Sequence, residues 1–205
     1  MRVAIVGGTG PFGKALALRL NEAALEVVVG SRDAERAAAT ADELGVAGAT
    51  NADAVVGVDL VVLAVNAEAA IDTARALRES IGTTPVLSVA SDLRFTPDGV
   101  VLAVDRMSLA ERVQKELDGP VVAGLHSLAA SNLAAARPEE DALVCGDDSE
   151  AKALALELAS RVVTGRALDA GPLAGARALE SLTALIVNLN KRYRAHAGIR
   201  VTGIS

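Results

Sequence analysis

A chain of 205 residues is long enough for one full hydrophobic core with a small appended unit. Half of it is hydrophobic (51%) but only three residues are aromatic, so the core must be built from Ala, Val and Leu, which suit helices packed closely on a parallel sheet. A net charge of −6 argues against a nucleic-acid partner, the single Cys145 leaves no internal disulfide, and two histidines 70 positions apart make no local metal cluster.

The chain opens on Val3-Ala4-Ile5-Val6, an apolar run that ends in a glycine cluster. From Gly8 the cluster reads G-x-G-x-x-G through Gly10 and Gly13. An amphipathic segment with Ala15, Leu16, Leu18 and Leu20 follows, and then a second apolar run, Glu26-Val27-Val28-Val29. This is strand, glycine turn, helix, strand, the first βαβ unit of a dinucleotide-binding fold. Glycines at this spacing allow a tight turn, a close backbone approach to a pyrophosphate and close helix–strand packing, while the helix N-terminus offers free N–H groups to the anion.

A cofactor with a free ribose 2′-OH usually meets an Asp or Glu about 20 residues after the glycines. Here the second strand leads into Gly30-Ser31-Arg32, with Arg36 one turn along the next helix and Thr9 in the turn. A hydroxyl and two guanidinium groups suit a 2′-phosphate, so the pattern points to NADP rather than NAD. Asp33 falls in the first helical turn, where a carboxylate complements the dipole.

Ala37, Ala38, Ala41 and Leu44 make a helix closed by Gly45, and Asp59–Val65 reads as a buried central strand. A helix is expected over Ala67–Ser80 and a strand over Pro85–Ala90. The regular alternation gives a doubly wound parallel α/β sheet. A looser stretch, Ser91 to Arg106, follows, then a short helix from Ser108 to Leu117 and a strand Val121–Leu125 that delivers His126. Loops at the carboxyl ends of such strands line the ligand crevice, which places Asn66, Ser91, Asp92 and His126 there. Further on come a strand to Cys145, an N-cap cluster Gly146–Ser149, a helix Glu150–Arg161 and a short strand Ala167–Asp169. A long helix Ala176–Tyr193 carries the stripe Leu179, Leu182, Ile186, Leu189, and Ile199–Thr202 is a candidate edge strand. No targeting segment is visible and no run approaches the ~18 apolar residues of a membrane span, so a cytoplasmic protein is expected.

GGTGPFGKALALRL and VVVGSR near the start, with CGDD, LDAGPL, ALESLTALIVNLNKRY and AHAGIRVT near the end, resemble the F420-dependent NADP oxidoreductases. That resemblance implies an NADP-binding Rossmann domain (residues 1–135), a small C-terminal α/β domain (residues 136–205) that forms the cofactor cleft, and a homodimer. It implies that Thr9, Ser31, Arg32 and Arg36 take the 2′-phosphate, and that hydride passes between NADP(H) and the deazaflavin coenzyme F420. The expected cofactor-binding set is Gly8, Thr9, Gly10, Pro11, Phe12 and Gly13 in the turn, Ser31, Arg32 and Arg36 beyond the second strand, and Ala64, Val65 and Asn66 after the third. His126, Asn66 and Ser91 are the candidates to position the reacting rings. Direct hydride transfer needs alignment rather than a nucleophile or a metal. Where the family usually carries a Pro-Trp pair, this chain has Val65-Asn66-Ala67-Glu68. Two other readings remain: a reductase of a small imine or ketone, with His126 or Ser91 as proton donor, and a non-catalytic NADP(H) sensor.

Overall fold

The computed structural model describes residues 1–103 and 106–204. Eight strands form one sheet: β1 (Arg2–Val6), β2 (Glu26–Ser31), β3 (Ala47–Thr50), β4 (Leu60–Leu63), β5 (Val86–Ser88), β8 (Val121–Gly124), β9 (Ala142–Gly146) and β10 (Ala167–Asp169). Their order is β10-β9-β8-β5-β4-β1-β2-β3, parallel throughout except for the antiparallel pair β8–β9. From β1 the chain winds outward through β2 to β3, then crosses back to β4 on the other side of β1. The order reverses between β1 and β4, and there the loops at their carboxyl ends part to leave a crevice.

Small side chains set the packing on both faces. Helices α1 (Pro11–Glu22) and α7 (Ser149–Val162) cover one face through Ala15, Leu16, Leu20, Ala155 and Leu158. The other is covered by α3 (Asn51–Ala54), α4 (Ala67–Ile81) and α5 (Leu109–Gln114), through Ala54, Ala70, Ala74, Leu109 and Val113. Helix α2 (Ala34–Leu44) flanks β3, with Asp33 as its N-cap accepting from the N–H groups of Glu35 and Arg36, and Gly45 as its left-handed C-cap. No helix among the described residues is long and apolar enough to cross a membrane.

The structure adds elements that periodicity does not announce. β3 is four residues of Ala, Gly and Thr at the sheet edge, and α3 is a single turn. The stretch after β5 folds back as an antiparallel hairpin, β6 (Leu93–Thr96) with β7 (Gly99–Leu102), apart from the main sheet; Val104 and Asp105 of that stretch lie outside the described residues. The short helix α6 (Ala130–Ala135) follows His126. Ile199–Thr202 pairs with no strand among the described residues; it is strapped down by single bonds, the Asp141 N–H donating to Ile199 O and the Val201 N–H to the Asp141 carboxylate. Asp141, fully buried, also takes the Arg166 guanidinium at 2.7 Å, which holds its carboxyl well below the usual carboxylate range.

The last helix, α8 (Ala176–Tyr193), packs through Leu179 and Ile186, while Leu189 at the far end of the expected stripe stays exposed. Its Glu180 is buried, yet its carboxylate reaches across to accept from Leu109 N at 2.7 Å and Ala110 N at 3.3 Å, the first N–H groups of α5. Burial outweighs those bonds and pushes Glu180 up to about 7. The folded protein therefore binds a proton that the unfolded chain releases between the ordinary value of 4.5 and about 7. That contribution to stability is present at low pH and is lost as pH rises through 7. Glu180→Gln, which keeps an oxygen for the two N–H groups, should remove this loss. Denaturant unfolding at pH 5 and pH 8 should show the mutant gaining on wild type with rising pH, by of the order of 3 kcal/mol.

Candidate active site

The turn after β1 forms the floor of the crevice. Gly7 takes φ +80°, so the left-handed residue of the turn is the glycine before the G-x-G-x-x-G set. The Gly8 N–H points inward, to Ile5 O and Gly30 O at 3.0 Å each, and Gly13 lies under the turn, where an added Cβ would stand 2.7 Å from Gly7 O. Gly8 and Gly13 thus set the close approach of α1 to the sheet and do not line the crevice. Gly10 does, and it is the N-cap of α1, a position with no capping side chain and Pro11 next to it. The helix N-terminus therefore faces the crevice with its N–H groups free of any side-chain cap, a setting that favours an anion.

A cavity of about 420 Å³ opens over this turn. Thr9, Gly10, Ser31, Arg32 and Arg36 line one side, and Ala64, Val65 and Asn66 the other. Arg32 and Arg36 are both exposed, both line the cavity, and neither forms an ion pair among the described residues. Asp33 also lines it, but its carboxylate is engaged by the N–H groups of Glu35 at 3.0 Å and Arg36 at 3.1 Å. Two guanidinium groups and a hydroxyl on one wall are suited to a phosphate ester.

A second cavity, about 270 Å³, shares Gly10, Ala64, Val65 and Asn66 with the first and continues along Pro11 and Phe12 to Ser91 and His126. Asn66 stands at the junction; it is the N-cap residue of α4, but its side chain does not cap. Leu125 holds φ +64°, a strained value for a buried leucine, and this turn delivers His126 from the end of β8 into the cavity wall. His126 Nε2 lies 3.3 Å from Ala90 O. A carbonyl only accepts, so Nε2 carries the proton and Nδ1, buried without a partner, is an acceptor. Burial lowers the imidazole to about 4, so it is neutral near pH 7.

Thr183 of α8 completes this wall, and its role is not legible in the sequence because it sits in an apolar helical pattern. Its hydroxyl donates to His126 O at 2.9 Å, so Ser91 Oγ, 2.7 Å away, must donate to Thr183 Oγ1. Asn51, the first residue of α3, is a second missed lining residue. No group of three His, Cys, Asp or Glu side chains is placed to hold a metal among the described residues. Cys145 is buried, with its thiol raised by desolvation and directed at Ala170 O.

The strand order and the glycine turn define a Rossmann fold with two abutting cavities at its crevice. Residues 2–92 match the family model described as NADP oxidoreductase, coenzyme F420-dependent. The whole chain is 36% identical to the F420-dependent NADP reductase of Methanothermobacter thermautotrophicus, covering 96% of that protein. It is 33% identical to the one from Methanocaldococcus jannaschii, covering 99%. The chain belongs to this family of F420-dependent NADP reductases. Among solved structures, a protein from Arthrobacter sp. FB24, provisionally assigned as an F420-dependent NADP-reductase, superposes with a TM-score of 0.85 at 26% identity, over 99% of this chain and 100% of that one. An imine reductase of Streptomyces aurantiacus shares the fold alone (TM-score 0.64, 22% identity, 95% of this chain and 62% of that chain).

Because the folded His126 is depressed relative to 6.5, its contribution to stability is complete above pH 6.5 and is lost as pH falls through about 4. An NMR titration should find its ring neutral from pH 8 down to about 5, with the Nε2 proton in place throughout. Titration near 6.5 would contradict the desolvated environment.

Proposed function

We propose that this protein is an oxidoreductase that passes a hydride between NADP(H) and coenzyme F420. The observation that carries the reading is the pair of abutting cavities, one walled by Arg32, Arg36 and an uncapped helix N-terminus, the other by Asn66, Ser91 and His126. The first suits the phosphates of NADP: the N–H groups at the start of α1 would hold the pyrophosphate, and Ser31, Arg32, Arg36 and Thr9 the 2′-phosphate. Bound NADP(H) and F420 supply the redox chemistry themselves, a direct hydride transfer between their rings. The chain's own residues bind, orient and keep water out. Ala64, Val65 and Asn66 form the wall common to both cavities, where two rings would have to meet at near-attack distance.

Reduction of an imine or ketone also needs a proton delivered to the product. His126 is held neutral with its one N–H spent on Ala90 O, and the Ser91 proton is committed to Thr183. Neither is poised to donate to an imine nitrogen or ketone oxygen in this wall; a deazaflavin reduced by hydride at carbon takes its proton at a ring nitrogen, where water can supply it.

We read residues 1–135 as the cofactor-binding half and residues 136–205 as the part that closes the cleft, a division supported by Thr183 of α8 reaching the second cavity. The exposed stripe Leu185, Leu189 and Tyr193 on α8 supports a homodimer. A small-molecule redox role with diffusible cofactors fits the cytoplasm.

With purified protein, NADP and reduced F420, the absorbance of oxidised F420 should return faster than in the protein-free control. Binding of NADPH without turnover would overturn F420 as the partner. Arg32→Ala should weaken NADPH binding about 10- to 100-fold, the worth of one charged hydrogen-bonding group, and leave NADH within about twofold. Equal losses for the two would remove the 2′-phosphate assignment.

A further inference from the structure

Asn51 follows β3, and the register of β2 against β3 (Gly30 opposite Ala49, Ser31 opposite Thr50) sets it beside the end of β2, next to Ser31 and Arg32. The residue is buried, at 9% relative exposure, and its Oδ1 has no hydrogen-bond partner among the described residues. Gly30 makes room for it: a Cβ there would come within 2.8 Å of Asn51 Oδ1. The same residue lines the cavity of Arg32 and Arg36 and also an adjoining one of about 630 Å³ that shares Ser31 and Arg32 and runs on past Glu68, Asp72 and Leu77. Oδ1, packed against Gly30, is an acceptor and offers a phosphate nothing; the amide NH2 makes no hydrogen bond among the described residues and is not one of the buried unpartnered atoms, so it is the open donor of a residue that lines both cavities.

We propose that Asn51 is a further specificity-determining residue, whose amide NH2 donates to the 2′-phosphate of NADP(H) beside Arg32. The inference rests on the reading of Ser31, Arg32 and Arg36 as the 2′-phosphate site. An amide is suited to this position for two reasons. It adds a donor without a third positive charge, and it carries no negative charge to repel the phosphate, unlike the carboxylates that read a free ribose. Asp33, the carboxylate on the cavity wall, turns one oxygen, Oδ1, to the first N–H groups of α2. The burial of Asn51 also excludes water from the far side of the phosphate, which strengthens every charge-assisted bond made there.

The test is fluorescence titration of the full-length protein with NADPH and with NADH, in Asn51→Asp, Asn51→Ser and Arg32→Ala. Asn51→Asp keeps the shape but replaces the donor with a charge; it should weaken NADPH at least about tenfold while NADH changes less than about twofold. Asn51→Ser, which shortens the side chain without adding charge, should weaken NADPH about three- to tenfold with the same indifference to NADH, and it decides the matter if the aspartate variant does not fold. A purely structural role would lower the melting temperature without separating the cofactors, and would overturn the proposal. So would equal losses for NADPH and NADH, which would put the amide on the adenosine common to both. If Arg32→Ala separates the cofactors and the Asn51 variants do not, this inference alone falls; if none separates them, the 2′-phosphate site falls with it.

Discussion

The crevice depends on one close approach. Three strand ends, those of β1, β2 and β4, converge on the turn Gly7–Gly13, and they can do so only because side chains are missing between them. The Gly8 N–H bridges Ile5 O and Gly30 O, tying the turn to β2, while a Cβ on Gly7 would meet Ala64 O at 2.7 Å and so would force β4's loop away. Ala64 is in turn held by its own N–H on Val6 O at 2.9 Å. The cationic wall from β2 and the Ala64–Asn66 wall from β4 therefore stand across a single turn from each other, at the distance that the glycines allow. The uncapped end of α1 is aimed between them by the same contacts.

That dependence explains which parts of the site are legible in a sequence. The glycine turn, Ser31-Arg32 and the strand-to-loop transition at Ala64–Asn66 are local: each is encoded within a few residues of the group it positions. The doubly wound order follows from regular alternation of buried apolar runs with helical periods. β3 is a short Ala-Gly-Ala-Thr edge strand without an apolar run, and the β6–β7 hairpin buries a single residue, Val100, so neither carries a hydrophobic period. The terminal Ile199–Thr202 has the composition of a strand, but its hydrogen bonds go to the Asp141 side chain and main chain rather than to a ladder, and it stays irregular.

Asn51, Thr183 and Glu180 are illegible for a different reason: their partners are remote in sequence. An Asn beginning a one-turn helix, a Thr within an apolar helix and a Glu on its polar side all look like ordinary surface chemistry. Only the fold reveals that Glu180 caps α5, some 70 residues earlier in the chain, and that Thr183 bonds the carbonyl of His126. His126 itself is visible as a strand-end residue, whereas its neutral state is a consequence of burial that sequence does not carry.

These remote contacts have a common source in α8. Glu180 takes the first N–H groups of α5, Thr183 joins Ser91 to His126 O, and Asn188 clamps β7 by accepting from Val100 N at 2.8 Å and donating to Val100 O at 2.7 Å. Three polar side chains along one helix thus fix the three segments that follow β5 and β8 around the second cavity, while Leu179 and Ile186 fix the helix to the core. The first cavity is lined by the ends of β1, β2 and β4 together with Asn51 of α3 and the start of α4, all within the first half of the chain; the second exists in its present form only when α8 is docked. Docking of α8 is also where the buried carboxylate sits, so a perturbation that loosens it should reach Ser91 and His126 before it reaches Arg32 or the glycine turn. The cationic half of the crevice is built within the first half of the chain, and the half walled by Ser91 and His126 is held in place by a helix from the opposite end of the chain.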